Sequence, residues 1–246
     1  MINFNPKNKN SKNKPQIILI CGAKGGVGKS TICYNLALAS QKLGQNTAII
    51  DADIYGPSIH HLCGVKQQAP EIKHNLMLPR KVKNLQLNSM GFLIPKESAL
   101  IWRGPMISKA INNLINNTVW TDVAQMFIDM PPGTGDAYLS LLKNFPTAKA
   151  VIITQPQKIS LIDTSRTIDL MQKVNIEIIG LIENMTNHLY KDKVKYFCKE
   201  HKIKKIGSIE FDQNIPLLAE NNQNIIEDYH NHAKIFYQIA KKIVKL

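Results

Sequence analysis

Residues 17–31 read Ile17-Ile18-Leu19-Ile20-Cys21-Gly22-Ala23-Lys24-Gly25-Gly26-Val27-Gly28-Lys29-Ser30-Thr31. An apolar run breaks into a glycine-rich loop that closes on Lys-Ser and opens an amphipathic, helical stretch. Strand, loop and helix in that order make a phosphate-binding loop. Its glycines free successive backbone N–H groups to converge on an anion at a helix N-terminus. The backbone of Gly25, Gly26, Val27, Gly28, Lys29, Ser30 and Thr31 is therefore expected to cradle a nucleotide. Lys29 brings a cation to the β- and γ-phosphates, and the Ser30 hydroxyl can coordinate magnesium.

Outward from the loop, β-rich apolar runs alternate with helical stretches. The pattern predicts strands over Gln16–Cys21, Thr47–Asp51, Leu85–Met90, Gln125–Asp129, Ala150–Thr154, Glu177–Ile182 and Lys205–Ile209. Between them it predicts helices over Ser30–Leu43, Ile107–Asn116, Leu139–Lys143, Leu161–Val174, Lys191–His201 and Ala233–Val244. Several of the strands are apolar nearly throughout, as strands covered on both faces are. The expected fold class is α/β, a doubly wound, mostly parallel sheet with helices on both faces. Ligands in such sheets sit beyond the carboxyl ends of the strands. The stretch Lys66–Lys83, with Pro70 and Pro79, is expected as a surface loop or small excursion.

Two acidic motifs fall at predicted strand ends. In Ile50-Asp51-Ala52-Asp53 the two carboxylates alternate along an exiting strand, so both project to one face. Beside a phosphate–magnesium site, one can enter the metal's shell while the other positions or deprotonates a water. Met126-Phe127-Ile128-Asp129 is an apolar run ending in Asp, the Walker B pattern. Asp129 is expected to hold magnesium through water, and Gly133 to Gly135 form a loop able to sense the γ-phosphate. A second lysine inside the first loop, Lys24, is not needed for the cradle. It can neutralise charge developing on the γ-phosphoryl, including across a dimer.

Composition bounds the partners. With 246 residues, 44% of them hydrophobic, the chain suits one α/β domain, expected over 15–246 and carrying the phosphate-binding loop. Residues 1–14 are polar, basic and Asn-rich, and are expected to be a disordered arm. Four cysteines lie far apart with no Cys-x-x-Cys pair, which argues against a disulfide framework and for the cytoplasm. No apolar segment is long enough to span a bilayer. The formal charge is +13, yet the lysines are dispersed and no aromatic-interleaved basic element accompanies them, so no nucleic-acid partner is expected.

Further segments carry a resemblance. Asp51-Ala52-Asp53-Ile54-Tyr55-Gly56-Pro57-Ser58, Ile101-Trp102-Arg103-Gly104-Pro105-Met106, Asp129-Met130-Pro131-Pro132-Gly133-Thr134-Gly135-Asp136, Thr154-Gln155-Pro156-Gln157 and Gly180-Leu181-Ile182-Glu183-Asn184-Met185 occur in this order. With the first loop they make the chain similar to the Mrp/ApbC family of deviant-Walker-A P-loop ATPases, akin to the MinD and ParA groups. The resemblance covers about Pro15 to Gly180 and, more loosely, the rest. It implies a homodimer that hydrolyses ATP with magnesium and passes iron–sulfur clusters to apoprotein clients. Lys24 matches the signature lysine that reaches the partner's nucleotide, and Asp53 matches the switch carboxylate tied to hydrolysis. Asn184 matches an adenine-contacting asparagine. Ser30, Asp51 and Asp129 are assigned to the magnesium, partly through water.

The chain departs from that family where a Cys-x-x-Cys pair should follow Asn184-Met185. It reads Thr186-Asn187-His188-Leu189-Tyr190 instead. Two thiolates from each subunit would complete the four that a bridging cluster requires. Cys198 lies further on, within a predicted helix, and is expected to be a packing residue rather than a cluster ligand. His188 and His201 fit no trusted ligand spacing. Ala23 stands where the loop pattern usually has Gly. The last helix carries Ile235, Phe236, Ile239, Ile243 and Leu246 near one face with lysines around it. A MinD/ParA-like positioning protein would lay that face on anionic lipid. The expectation favours packing on the sheet, with the lysines reaching solvent.

Overall fold

The computed structural model describes residues 14–22, 24–94, 104–190 and 192–245. The arm expected over 1–14 (all but Lys14), Ala23, Ile101 to Arg103, Lys191 and Leu246 lie outside those residues.

In chain order the elements are β1 (Gln16–Cys21), α1 (Lys29–Lys42), β2 (Thr47–Asp51), α2 (Ile59–Leu62), β3 (Ile72–Lys73), β4 (Leu76–Met77), β5 (Arg80–Val82), β6 (Leu85–Ser89) and α3 (Met90–Leu93). There follow α4 (Gly104–Asn116), β7 (Gln125–Asp129), α5 (Asp136–Asn144), β8 (Lys149–Thr154), α6 (Lys158–Lys173), β9 (Glu177–Thr186) and α7 (Lys193–Glu200). The chain finishes with β10 (Lys205–Glu210), α8 (Asn214–Glu220), α9 (Ile225–Asp228) and α10 (His230–Val244). Eight strands form one sheet in the order β10-β9-β8-β1-β7-β2-β6-β5. Every pairing is parallel except β5 with β6. The chain runs from β1 towards β2 and β6, then returns to insert β7 and to build β8, β9 and β10 on the other side. The end of β1 is thus the place where the winding reverses, which is where such sheets bind ligands.

The apolar strands split by parity between two cores. Leu19, Ile50, Ile128 and Ile152 face one side, with α4 and α5 over them. Ile20, Ile49, Phe127 and Ile153 face the other, under α1 and α10. Strands buried on both faces account for the near-continuous hydrophobic runs.

Four features differ from the sequence expectations. The helix expected to be amphipathic, α1, is buried without interruption from Ile32 to Ser40, because α10 covers its outer side. Its buried Asn35 is paired internally: Asn35 Oδ1 accepts from Ile225 N at 2.9 Å and Asn35 Nδ2 donates to Thr31 O at 2.9 Å. The Lys66–Lys83 stretch is no plain loop, since it holds the β3–β4 hairpin and the edge strand β5. Two-residue strands are too short to leave a periodic signal. The strand expected to end at Ile182 runs on to Thr186, carrying Asn184 up to the loop. The four short helices α2, α3, α8 and α9 have four to seven residues each, below the length at which sequence periodicity speaks.

Candidate nucleotide site

The glycine loop bridges β1 and α1. Its last residue, Gly28, is the N-cap of α1 with φ 91° and offers no side-chain cap. The first-turn N–H groups of a buried helix end then need an outside acceptor, which is how a helix binds an anion. Only glycine serves here, because a Cβ at Gly28 would fall 2.3 Å from Asn184 Nδ2. Lys29 is 94% buried and folds back across the loop base, so that a Cβ at Gly22 would meet its Cγ at 3.0 Å. Val27 is buried in the sheet-side core, while Lys24, Gly25 and Gly26 are exposed on the rim.

The acids stand beside it in one rank. In the sheet register Asp129 at the end of β7 is level with Ile20 of β1 and with Asp51 of β2. Backbone bonds lock these ends together: Met130 N donates to Ile20 O at 3.2 Å and Ala52 N donates to Asp129 O at 3.0 Å. Asp129 is fully buried, and among the described residues neither carboxylate oxygen receives a hydrogen bond of ordinary geometry. Burial pushes its pKa up to about 7, against the pull of Lys29 and the nearby Ser30 hydroxyl. An orphaned carboxylate next to a lysine, a serine and a row of helix N–H groups is chemically suited to a divalent cation shared with phosphate.

Asp51 is different, although the sequence assigns it to the same metal. Its Oδ2 accepts from Ile59 N at 3.1 Å and from Ser89 Oγ at 3.0 Å, and its Oδ1 accepts from Asp53 N at 3.3 Å. The carboxylate thus pins the start of α2 and the end of β6 to β2. Burial, then the neighbouring Asp129, hold its pKa well above the carboxylate range. Asp53 projects further along the exit. Its Oδ1 accepts from Tyr55 N and Gly56 N, each at 3.1 Å, which fixes the turn after it.

A cavity of about 320 Å3 opens next to Gly28 and Thr31. Its far wall is Phe211, Asp212, Ile215 and Pro216, from the end of β10 to α8. The sequence reading missed this wall, because an apolar turn after an edge strand carries no phosphate or acid signature. Asn184 lines the same cavity, and its Nδ2 donates to Val27 O at 2.8 Å. Gln155, at the end of β8, donates from Nε2 to Gly26 O at 3.3 Å. The sequence marks Gln155 only as part of a motif and gives it no role.

Cys21, at the end of β1, and Cys33, in α1, lie within electrostatic reach of Lys29 and Asp129 but are fully buried. Cys21, Cys33 and Cys198 are buried and Cys63 is half-buried. Cys198 packs from α7 into the core under α4 and α5, and burial raises its thiol pKa. Burial pushes Cys21 and Cys63 up to about 12 as well, so none of these is a ready thiolate. Among the described residues no three His, Cys, Asp or Glu side chains are grouped to hold a metal.

A glycine loop capping a helix at the reversal point of a parallel sheet, flanked by a Walker B aspartate, defines a nucleotide-binding P-loop NTPase. Solved structures agree on the fold. A nucleotide-binding protein from Archaeoglobus fulgidus in complex with ADP superposes with a TM-score of 0.76 at 26% identity, over 90% of this chain and 91% of that one. The cell-division ATPase MinD of Pyrococcus furiosus gives 0.75 at 20% identity, over 94% and 99%. The model of the family ParA, described as NUBPL iron-transfer P-loop NTPase, matches residues 13–244, and the chain belongs to that family. It is 45% identical over 188 residues to the iron-sulfur cluster carrier protein of Haemophilus influenzae, covering 76% of this chain and 50% of that protein. It is 44% identical over 209 residues to the protein of the same name in Rickettsia felis, covering 85% and 62%. The chain therefore spans about half to three-fifths of the length of these relatives.

Proposed function

We propose that the chain binds ATP with magnesium, hydrolyses it as a homodimer in the cytoplasm, and uses the cycle to serve iron–sulfur cluster delivery to apoproteins. The observation that carries the nucleotide part is Asp129: a buried carboxylate with no hydrogen-bond partner of ordinary geometry among the described residues, level with the end of β1 and beside Lys29 and Ser30.

The loop N–H groups and the Lys29 ammonium take the β- and γ-phosphates, already aligned by the N-terminus of α1. Ser30 and Asp129 would hold magnesium, which supplies charge neutralisation across the β- and γ-oxygens. Asp51 braces the exit of β2 from behind rather than entering that shell. Asp53, held by the turn N–H groups of Tyr55 and Gly56, orients the attacking water and accepts its proton. Lys24, exposed on the rim, reaches the nucleotide of the partner subunit and offsets charge on the transferring phosphoryl, an effect of roughly 10³–10⁵ in rate in related enzymes. The cavity walled by Phe211 and Pro216 takes the base, with Asn184 at its inner end.

The cluster part rests on family membership and on the names of the relatives. The buried cysteines do not supply it with thiolates, so the cluster is cargo whose ligands come from a client or a partner. Anaerobic reconstitution with iron and sulfide tests this. The expected result is a colourless protein whose iron content matches that of Cys198→Ala, while ATPase activity persists. A visible cluster spectrum lost in Cys198→Ala would instead make Cys198 a ligand.

No observation favours the membrane-positioning alternative. The apolar face of α10, with Phe236, Ile239 and Ile243, is buried against α1 and β10. No helix among the described residues is long and apolar enough to cross a membrane.

A further inference from the structure

Two side-chain amides, from adjacent strand ends, grip consecutive carbonyls of the glycine loop. Gln155 Nε2, beyond β8, donates to Gly26 O at 3.3 Å, and Asn184 Nδ2, on β9, donates to Val27 O at 2.8 Å. Gln155 Nε2 also donates to Met185 Sδ. Both protons of that amide are thus committed between the loop and the end of β9.

The geometry of the peptide unit gives these contacts a consequence. A trans peptide is planar, so the C=O of one residue and the N–H of the next point in opposite directions. Holding the Gly26 carbonyl therefore aims the N–H of Val27, and holding the Val27 carbonyl aims the N–H of Gly28. Both N–H groups belong to the set expected to meet the phosphates. The chain itself restrains these planes weakly, because Gly26 (φ 78°) and Gly28 (φ 91°) flank them and glycine samples a wide range of backbone angles. The restraint must come from outside the loop, and the two amides supply it.

We propose that Gln155 is a positioning residue which, with Asn184, presets the two central peptide planes of the loop with their N–H groups towards the phosphate site. The ordering is then complete in the free protein and is not charged against nucleotide binding. The proposal rests on the nucleotide-site reading given above and adds a residue to it. It also divides the labour between the ligand's two ends: Gln155 acts on the phosphates alone, whereas Asn184 touches both the loop and the base cavity.

The test uses the full chain and three probes with magnesium present: ATP, tripolyphosphate as a base-free anion, and adenosine as a phosphate-free base. Gln155→Leu keeps the bulk and removes the donor, Gln155→Glu sets a carboxylate against the Gly26 carbonyl, and Gln155→His restores an N–H. Loss of one such hydrogen bond should weaken tripolyphosphate and ATP by roughly threefold to tenfold in the leucine variant. The glutamate variant should lose more, the histidine variant should recover part, and adenosine should bind all four proteins equally. Unchanged tripolyphosphate affinity in a folded leucine or glutamate variant overturns the positioning role. So does an equal loss of adenosine affinity, which would mark Gln155 as mere packing. If the wild-type chain itself fails to bind tripolyphosphate and ATP, the nucleotide-site reading falls and takes this proposal with it. Should the leucine variant be unstable, the glutamate and histidine pair decides the matter.

Discussion

At the scale of single residues, the two aspartates that look alike in the sequence do different work. Asp51 satisfies donors of its own chain, so Asp51→Ala strands the buried Ser89 hydroxyl and the Ile59 N–H. We expect it to lower stability by about 1–3 kcal/mol in urea titrations, with nucleotide and magnesium affinity retained wherever the variant is folded. Asp129→Asn should show the reverse: little change in folding, and loss of the magnesium dependence of ATP binding. Lys29→Ala removes the only cation buried under the loop among the described residues and should abolish nucleotide binding in equilibrium titration; wild-type affinity in that variant would contradict the cradle. Asp53→Ala should bind ATP as the parent does and lose roughly 10²–10⁴-fold in kcat, measured by phosphate release.

At the scale of elements, α10 is the piece whose placement matters most. Its apolar stripe makes α1 an interior helix, and α1 begins at the phosphate site. Phe236→Ala should cost about 3–5 kcal/mol of stability, as large-to-small changes in a packed core do. Glu227 ties α9 to the end of α1 through Lys42 at 3.0 Å and to the β5–β6 turn through Lys83. The Lys83 hydrogen bond, followed by those of Asn224 and Lys42, holds the Glu227 pKa at about 2, below its ordinary 4.5. A depressed carboxylate stabilises the fold above its unfolded pKa. That contribution is present above about pH 4.5 and is lost as the pH falls through about 2. The Tm advantage of wild type over Glu227→Gln should therefore be constant near neutrality and vanish between these values. It should also stay small, under about 1 kcal/mol, because both lysines are well exposed and screened.

At the scale of the whole molecule, Lys24 and the rim of the loop are exposed, and in the proposed homodimer Lys24 would complete the partner subunit's site. Light scattering of Asp53→Ala with ATP and magnesium should give twice the chain mass, falling back towards the monomer with ADP. A mass that ignores the nucleotide would remove the trans role of Lys24. Part of the positive charge is neutralised within the fold. Lysines such as Lys42, Lys83 and Lys205 are spent on Glu227 and Glu183 within the fold.

The sequence by itself determined the α/β alternation, the strand that feeds the loop and the aspartate that ends β7. Each is a local pattern: periodicity sets the element, and glycines followed by Lys-Ser set the turn. It also showed that no cysteine pair follows Asn184. Only the tertiary structure decided that Asp51 braces α2 and β6, that α1 is interior, that Phe211 and Pro216 wall a cavity beside Gly28, and that Gln155 holds the loop from 129 residues away in the chain. These depend on which strand ends lie side by side, and strand order is set by packing across the whole sheet, where no short stretch of residues records it.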